Sequence, residues 1–228
     1  MPFVVIEGLD GSGKSTQMKL IREWLERDRV SYQYLHFPRT EVGPFGEIIA
    51  AFLRGDFGKA GEVHPRLVSL IYALDRFDAR NQVNEWLDKG QLVLADRYVY
   101  SNIAFQCAKM DDPSARETLS EWINQLEFTY FGIPKPDLSL YLDVPFSFIV
   151  GNLTAGRTGT DRAYLEGKTD IHEADLNFQR RVHEVYLWQS EVSGDLLRVN
   201  CEAAPGKVKA PGEIFEAILS LFKTNKII

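Results

Sequence analysis

Gly8-Leu9-Asp10-Gly11-Ser12-Gly13-Lys14-Ser15 fits the spacing G-x-x-x-x-G-K-[ST], with Thr16 following. Each residue type there serves one kind of chemistry. Glycines let a backbone turn its N–H groups inward around a polyphosphate. A helix starting at the lysine adds the favourable end of its dipole. Lys14 is a point charge for the β- and γ-phosphates, and Ser15 offers a hydroxyl to Mg²⁺. The predicted polyphosphate set is Gly8, Gly11, Ser12, Gly13, Lys14, Ser15 and Thr16.

A second group is made of arginines and aromatic rings. Phe37-Pro38-Arg39 ends one apolar run, Asp96-Arg97-Tyr98 ends another, and Ser101-Asn102-Ile103-Ala104-Phe105-Gln106 follows. Tyr72 and Arg76 stand four apart in a helical pattern and so share a face. Arginine suits a phosphate and aromatic rings suit a planar base. Ligands of open α/β sheets bind beyond the carboxyl ends of the strands, where the phosphate loop, Arg39 and Arg97 all fall. One pocket is therefore expected to take a polyphosphate from one side and a second anionic, planar molecule from the other.

The elements that would position these residues follow from periodicity. Short apolar runs at 3–7, 32–37, 92–95, 138–142 and 196–199 read as strands. Helical patterns lie at 14–29, 47–53, 65–89, 114–130, 146–153, 176–190 and 211–223. Pro65 and Pro211 can open helices, and Gly90 can close one. Strands alternating with helices predict an α/β fold: a five-stranded parallel sheet with helices on both faces. Two stretches stand apart. Residues 55–61 are Gly-rich, and 155–175 are polar, charged and Gly-rich, as a mobile functional loop would be.

The chain has 228 residues, a size that one α/β domain can fill. With 45% hydrophobic and 25% charged residues the composition is that of a globular protein. A net charge of −6 argues against a nucleic-acid-coating surface, yet leaves room for a few arginines around a small anion. Cys107 and Cys201 have neither metal-ligand spacing nor a disulfide framework, which fits a reducing cytoplasm. No signal peptide and no membrane-length apolar run are expected.

From residue 3 to about 186 the sequence resembles the thymidylate kinases (dTMP kinases), a P-loop nucleoside-monophosphate kinase family. VIEGLDGSGKST, HFPR, LDRFD, DRYVYSNIAFQ and PDLSLYLDV carry the resemblance. It implies ATP-dependent phosphorylation of dTMP to dTDP with Mg²⁺, by a single kinase domain over 1–228 that is usually a homodimer. In the acceptor site it implies that Arg97 and Arg39 hold the dTMP phosphate and that Tyr72 stacks on thymine beside Phe37. Arg76 and Asn102 would face the base edge. Phe105 would fill the place of a ribose 2′-hydroxyl, Asp10 would meet the 3′-hydroxyl, and Ser101 would help line the pocket. Asp96 would act on Mg²⁺ through water. The family places a catalytic arginine in the phosphate loop or in a lid. Gly11 occupies the loop slot here, so Arg157 and Arg162 of the 155–175 lid are the catalytic candidates beside Lys14 and Arg97. Asp170 and Glu173 are weaker lid candidates, and His172 reads as structural or exposed.

Two other activities use a similar loop. A deoxynucleoside kinase would need a carboxylate base after the second strand, where Phe37-Pro38-Arg39 stands. A GTPase or ATPase switch is weakened by the lack of Asn-Lys-x-Asp and of Asp-x-x-Gly after the strand that ends at Asp96. The phosphate loop itself yields a test. Lys14→Ala lowers turnover by at least about 10²-fold, the scale for losing one preorganised charge-stabilising group, while circular dichroism and melting stay near wild type. Turnover close to wild type in the folded variant would remove the loop from the mechanism.

Overall fold

The computed structural model describes residues 2–155, 160–168, 170–173 and 175–227. Five strands, β1 (Phe3–Glu7), β2 (Tyr32–His36), β3 (Leu92–Asp96), β4 (Leu138–Asp143) and β5 (Leu196–Asn200), form one sheet in the order β2-β3-β1-β4-β5. All its pairings are parallel. Every residue of β1, β3 and β4 is buried, so these strands are mostly apolar on both faces, broken only by Glu7, Asp96, Ser139 and Asp143. From β1 the chain runs outward to the edge strand β2 and returns to β3 beside β1, and β4 lies on the other side. The reversal opens a crevice at the carboxyl ends of β1 and β3, where Ile6 pairs with Asp96.

The helices are α1 (Lys14–Arg27), α2 (Gly43–Leu53), α3 (Pro65–Asp88), α4 (Val99–Cys107), α5 (Pro113–Asn124), α6 (Phe146–Thr154), α7 (Leu176–Val192) and α8 (Pro211–Thr224). Pro65 and Pro211 sit in the first turns of α3 and α8, as expected, and Gly90 has φ +72 just past α3. Among the described residues no helix is long and apolar enough to cross a membrane.

Four differences from the sequence expectation have physical causes or plain descriptions. Helix α4 was not anticipated. All its residues but Tyr100 are buried, so it has no polar face to mark its period. Helix α2 starts at Gly43 rather than at residue 47, because Pro44 opens it. The expected single helix over 114–130 is α5 followed by a wide π-helical segment, Gln125–Tyr130. An exposed hairpin, β6 (Glu202–Ala204) with β7 (Lys207–Val208), carries no burial signal and was missed.

The main core lies between the sheet and its helices, with Val4, Ile6, Leu94, Leu140, Tyr141 and Tyr186 fully buried. A second apolar cluster (Ile49, Phe52, Leu53 and Val68) joins α2 to α3. Tyr72, Tyr164 and Ile171 pack on it. Residues from the expected lid thus rest on the α2–α3 pair.

Candidate active site

β1 delivers the chain into the phosphate loop and α1 takes it away. Gly13 caps α1 at φ +87, and Gly11 lies at φ +76. Both values belong to the left-handed region that glycine enters without strain. A Cβ on Gly11 would also meet Asn152 Cβ at 3.2 Å, and the Asn152 amide donates to Gly11 O at 2.7 Å. Lys14 Nζ donates to the loop's own carbonyls, Gly8 at 3.1 Å and Leu9 at 2.9 Å. Ser15 and Thr16 are exposed on the first turn of α1, and the Thr16 N–H donates to the capping Gly13 O at 3.1 Å.

Beyond the carboxyl ends of β1 and β3 lies a cleft of about 1140 Å³. Its wall includes every expected acceptor residue: Asp10, Phe37, Arg39, Tyr72, Arg76, Arg97, Ser101, Asn102 and Phe105. Lys14, Ser15 and Asp96 also reach it. Arg97 has φ +67, a conformation that side-chain-bearing residues rarely hold unless their surroundings fix it. Its backbone N–H donates to Ile6 O at 3.0 Å. Its guanidinium donates to Asp10 Oδ1 at 2.8 Å and to Ser101 Oγ at 3.1 Å, and lies 5.3 Å from the Phe105 ring centre. Burial opposes this charge. Asp10, with Tyr186, Asp96 and Glu7 behind it, outweighs burial and raises the Arg97 pKa.

Ser101 proves to be a relay. Its Oγ accepts from Arg97 and donates to Glu7 Oε2 at 2.5 Å. Arg39 is held by Asp75 through its backbone N–H (2.9 Å) and Nε (2.8 Å), and by Asp78 through Nη2 (2.7 Å). The Phe37–Pro38 peptide is cis, and Phe37 is buried with its ring tilted against Tyr98. Arg76 forms a fork on Glu127, Nε to Oε2 at 2.5 Å and Nη2 to Oε1 at 2.6 Å. Asn102 Nδ2 donates to Glu127 Oε1 at 2.9 Å and to Ser69 O at 3.0 Å. Burial pushes the Tyr72 hydroxyl far up, so that ring stays neutral.

Asp96 and Ser15 were the expected Mg²⁺ groups. Asp96 Oδ1 is buried without a partner, and Oδ2 lies 3.4 Å from His36 Nδ1. Burial would raise this carboxyl, but His36, Lys14 and Arg97 hold it below the usual carboxylate range. An ionised oxygen lacking a donor, in the same cleft as an exposed serine hydroxyl, fits a hydrated divalent cation.

The lid candidates divide. Arg157 lies outside the described residues, as does the side chain of Arg162. Asp170 lines the cleft, accepting from Tyr164 Oη at 2.9 Å and from the His172 amide at 2.8 Å. Burial, then the charge of Asp10, pushes its pKa up to about 6. His172 is buried, not exposed. It sits among Phe105, Phe178 and Phe52, its Nε2 has no partner, and burial brings its pKa down to about 3. The segment is seated by Ile171 N–H on Leu53 O (3.1 Å), Arg54 on Tyr164 O (2.9 Å) and Lys168 on Asp56 (2.6 Å). The 55–61 loop and the lid, two stretches that stand out in the sequence, therefore touch.

Sequence reasoning missed Glu7, Glu127 and Tyr186. Glu7 lies inside an apolar strand pattern, and a charged residue in such a run was the available signal. Glu127 and Tyr186 are far along the chain from what they touch, and nothing local marks them.

A phosphate loop at a sheet switch point, facing a cleft with a buried arginine and a wall of aromatic rings, defines a P-loop phosphotransferase with a separate acceptor site. Known proteins agree. The thymidylate kinase family profile matches residues 6–209. The chain is 30% identical over 223 residues to a probable thymidylate kinase of Pyrococcus abyssi, covering 97% of this chain and 95% of the relative. It is 31% identical over 184 residues to the thymidylate kinase of Plasmodium falciparum, covering 81% and 79%. It is 30% identical over 211 residues to that of Mycobacterium tuberculosis, covering 91% and 95%. A solved thymidylate kinase from Candida albicans shares the fold with a TM-score of 0.73 at 23% identity, over 99% of this chain and 92% of that one. The chain belongs to the thymidylate kinase family. It is an ATP-dependent phosphotransferase that makes dTDP from dTMP, and the nucleoside-kinase and switch readings are not favoured.

The raised Asp170 pKa gives a stability test. Its folded value of about 6 exceeds the ordinary 3.8, so the folded state holds the proton more tightly. That stabilisation is complete below about pH 4 and is lost as pH rises through about 6. Relative to wild type, Asp170→Asn gains up to about 3 kcal/mol between pH 4 and pH 7. Urea unfolding of both proteins at the two pH values measures this, and a pH-independent difference would contradict it.

Proposed function

We propose that dTMP lies in the cleft with its 5′-phosphate toward Arg97 and its thymine toward Arg76 and Asn102, and that ATP enters over the phosphate loop with its γ-phosphate near Lys14. The observation that carries this reading is Arg97, held in a left-handed conformation between Asp10 and Ser101, on the same cleft wall as Lys14. A cation is thus fixed before substrate arrives, which is what an anionic acceptor requires.

The rest of the chemistry follows from position. Phosphoryl transfer needs in-line alignment and charge stabilisation more than covalent catalysis. Lys14 neutralises the donor oxygens. Arg97 binds the acceptor phosphate, and Arg39, braced by Asp75 and Asp78, lends it a second charge. Tyr72 and Phe37 flank the base. The Phe105 ring under Arg97 leaves apolar surface where a ribose would present its 2′-hydroxyl. Asp10 receives the sugar 3′-hydroxyl. The acceptor phosphate is already an anion near pH 7, so no general base is required.

Mg²⁺, carried in with ATP, would be held by Ser15 and by Asp96 through water, and would neutralise charge between the phosphates. Residues 155–175 act as the lid of one domain spanning the chain. Arg157 or Arg162 supplies the transition-state charge from it, because position 11 of the loop is a glycine, whose positive φ and close approach to Asn152 disfavour a side chain there. The exposed Leu67 and Phe77 on α3, with Phe77 packed on Phe131 beside the exposed Tyr130, suit a homodimer face. The cytoplasm suits two cysteines that are free and buried.

Thymidine tests the acceptor site. It leaves a site built around a phosphate with unpaired cations, so kcat/KM should fall by about 10⁴ or more against dTMP at saturating ATP and Mg²⁺. Comparable turnover of the two would overturn the phosphate role of Arg97 and Arg39. The lid is tested by replacing Arg157 and Arg162 together with alanine. The expected result is a kcat loss of at least about 10²-fold with dTMP affinity little changed. A defect confined to KM would return these arginines to ground-state binding.

A further inference from the structure

Behind the Arg76 end of the cleft stands a buried acid that the reaction does not call for. Glu127 is fully buried on the π-helical segment Gln125–Tyr130. Wide turns of this kind frequently occur at functional sites. Its carboxylate accepts three hydrogen bonds, two from Arg76 and one from Asn102 Nδ2. Arg76 and Asn102 both line the cleft, and Glu127 does not.

The consequence concerns hydrogen-bond polarity. The fork on Glu127 uses Nε and Nη2 of Arg76 and leaves its Nη1 donors for the cleft. The charges around this guanidinium, Glu127 first and then Asp75, raise its pKa against the effect of burial, and the Tyr98 ring lies 5.9 Å away. Arg76 is therefore a donor at every relevant pH. Asn102 Nδ2 faces two acceptors, Glu127 Oε1 and Ser69 O, so its Oδ1 is turned away from both and is buried without a partner. Flipping this amide would set Oδ1 against a carboxylate and a carbonyl at once.

We infer that Glu127 is a specificity-determining positioning residue: it fixes Arg76 as donor and Asn102 Oδ1 as acceptor, and so selects a 4-oxo pyrimidine over a 4-amino pyrimidine. A 4-oxo base offers an acceptor at O4 beside a donor at N3–H, the complement of this pair. A 4-amino base offers a donor at N4 beside an acceptor at N3, which opposes both groups. Buried polar groups left facing their own kind reject the wrong ligand strongly. The inference rests on the proposal that the base lies against Arg76 and Asn102.

The experiment compares kcat/KM for dTMP and dCMP on wild type and on Glu127→Gln. A ratio of two substrates on one preparation does not depend on how much of the protein is folded, so a purely structural defect leaves it unmoved. Wild type should prefer dTMP by at least about 10³-fold, within the range for polar-group discrimination. In Glu127→Gln the side-chain amide can donate to a flipped Asn102, and the dTMP/dCMP ratio should fall at least tenfold while KM for ATP holds. If Glu127→Gln yields no folded protein, Glu127→Asp is read in the same ratio. Its shorter arm cannot span Arg76 and Asn102, and the same fall is expected. A wild type that uses dCMP as well as dTMP overturns the base placement and this inference with it. Wild-type selectivity that survives the substitution unchanged overturns the role of Glu127 alone.

Discussion

The site hangs on one buried carboxylate. Glu7, the last residue of β1, accepts from the backbone N–H groups of Tyr98 (2.9 Å) and Ser101 (3.2 Å), from the Ser101 hydroxyl (2.5 Å) and from the Tyr186 hydroxyl (3.0 Å). Taking a lone carboxylate out of water costs several kcal/mol. Burial accordingly pushes its pKa up, while Ser101, Arg97, Tyr186 and Tyr98 pull it back. Tyr98 caps the N-terminus of α4 without offering a side-chain acceptor. Glu7 does that work from the neighbouring strand, satisfying orphan amides and meeting the positive end of the α4 dipole. One group therefore joins β1, the turn after β3, α4 and α7.

The turn thus clamped contains Arg97. Its left-handed backbone is costly by itself and persists because its neighbours over-determine it. With Ser101 fixed by Glu7, the guanidinium has one hydrogen-bonded path back to the strand and another to Asp10 in the phosphate loop. The phosphate loop and Arg97 are then joined in one hydrogen-bonded assembly at the point where the strand order reverses. That assembly matters because phosphoryl transfer depends on alignment.

The cleft's opposite wall is built differently. α2 and α3 share a small apolar cluster apart from the main core, and residues of the lid complete it. Tyr164 and Ile171 pack on that cluster, and between them Asp170 reaches the cleft wall, where burial and the charge of Asp10 raise its pKa. The Arg76 end of the cleft follows the logic of the Glu7 clamp: Glu127 is buried, paired and hydrogen-bonded, and it orients Arg76 and Asn102 on the cleft wall. In both places a hidden acid sets the direction of visible cations and amides.

Local sequence determined much. Five apolar runs gave the strands, because residues buried on both faces must be apolar wherever the strand ends up. The phosphate loop was legible because glycine at positive φ and lysine at a helix start are demands of the backbone itself. Arg97, Asp96, Tyr72 and Phe105 were legible through their positions after strands or on one helix face, and through family resemblance. Helix α4 was illegible because burial on all sides erases its period. The strand order, the roles of Glu7, Glu127 and Tyr186, and the burial of His172 were decided only by tertiary structure. Each depends on a partner tens of residues away: Glu7 meets Tyr186 across 179 positions and Arg76 meets Glu127 across 51. No local pattern records such a meeting, since a buried acid is permitted by the donors that packing brings to it rather than by its neighbours in the chain.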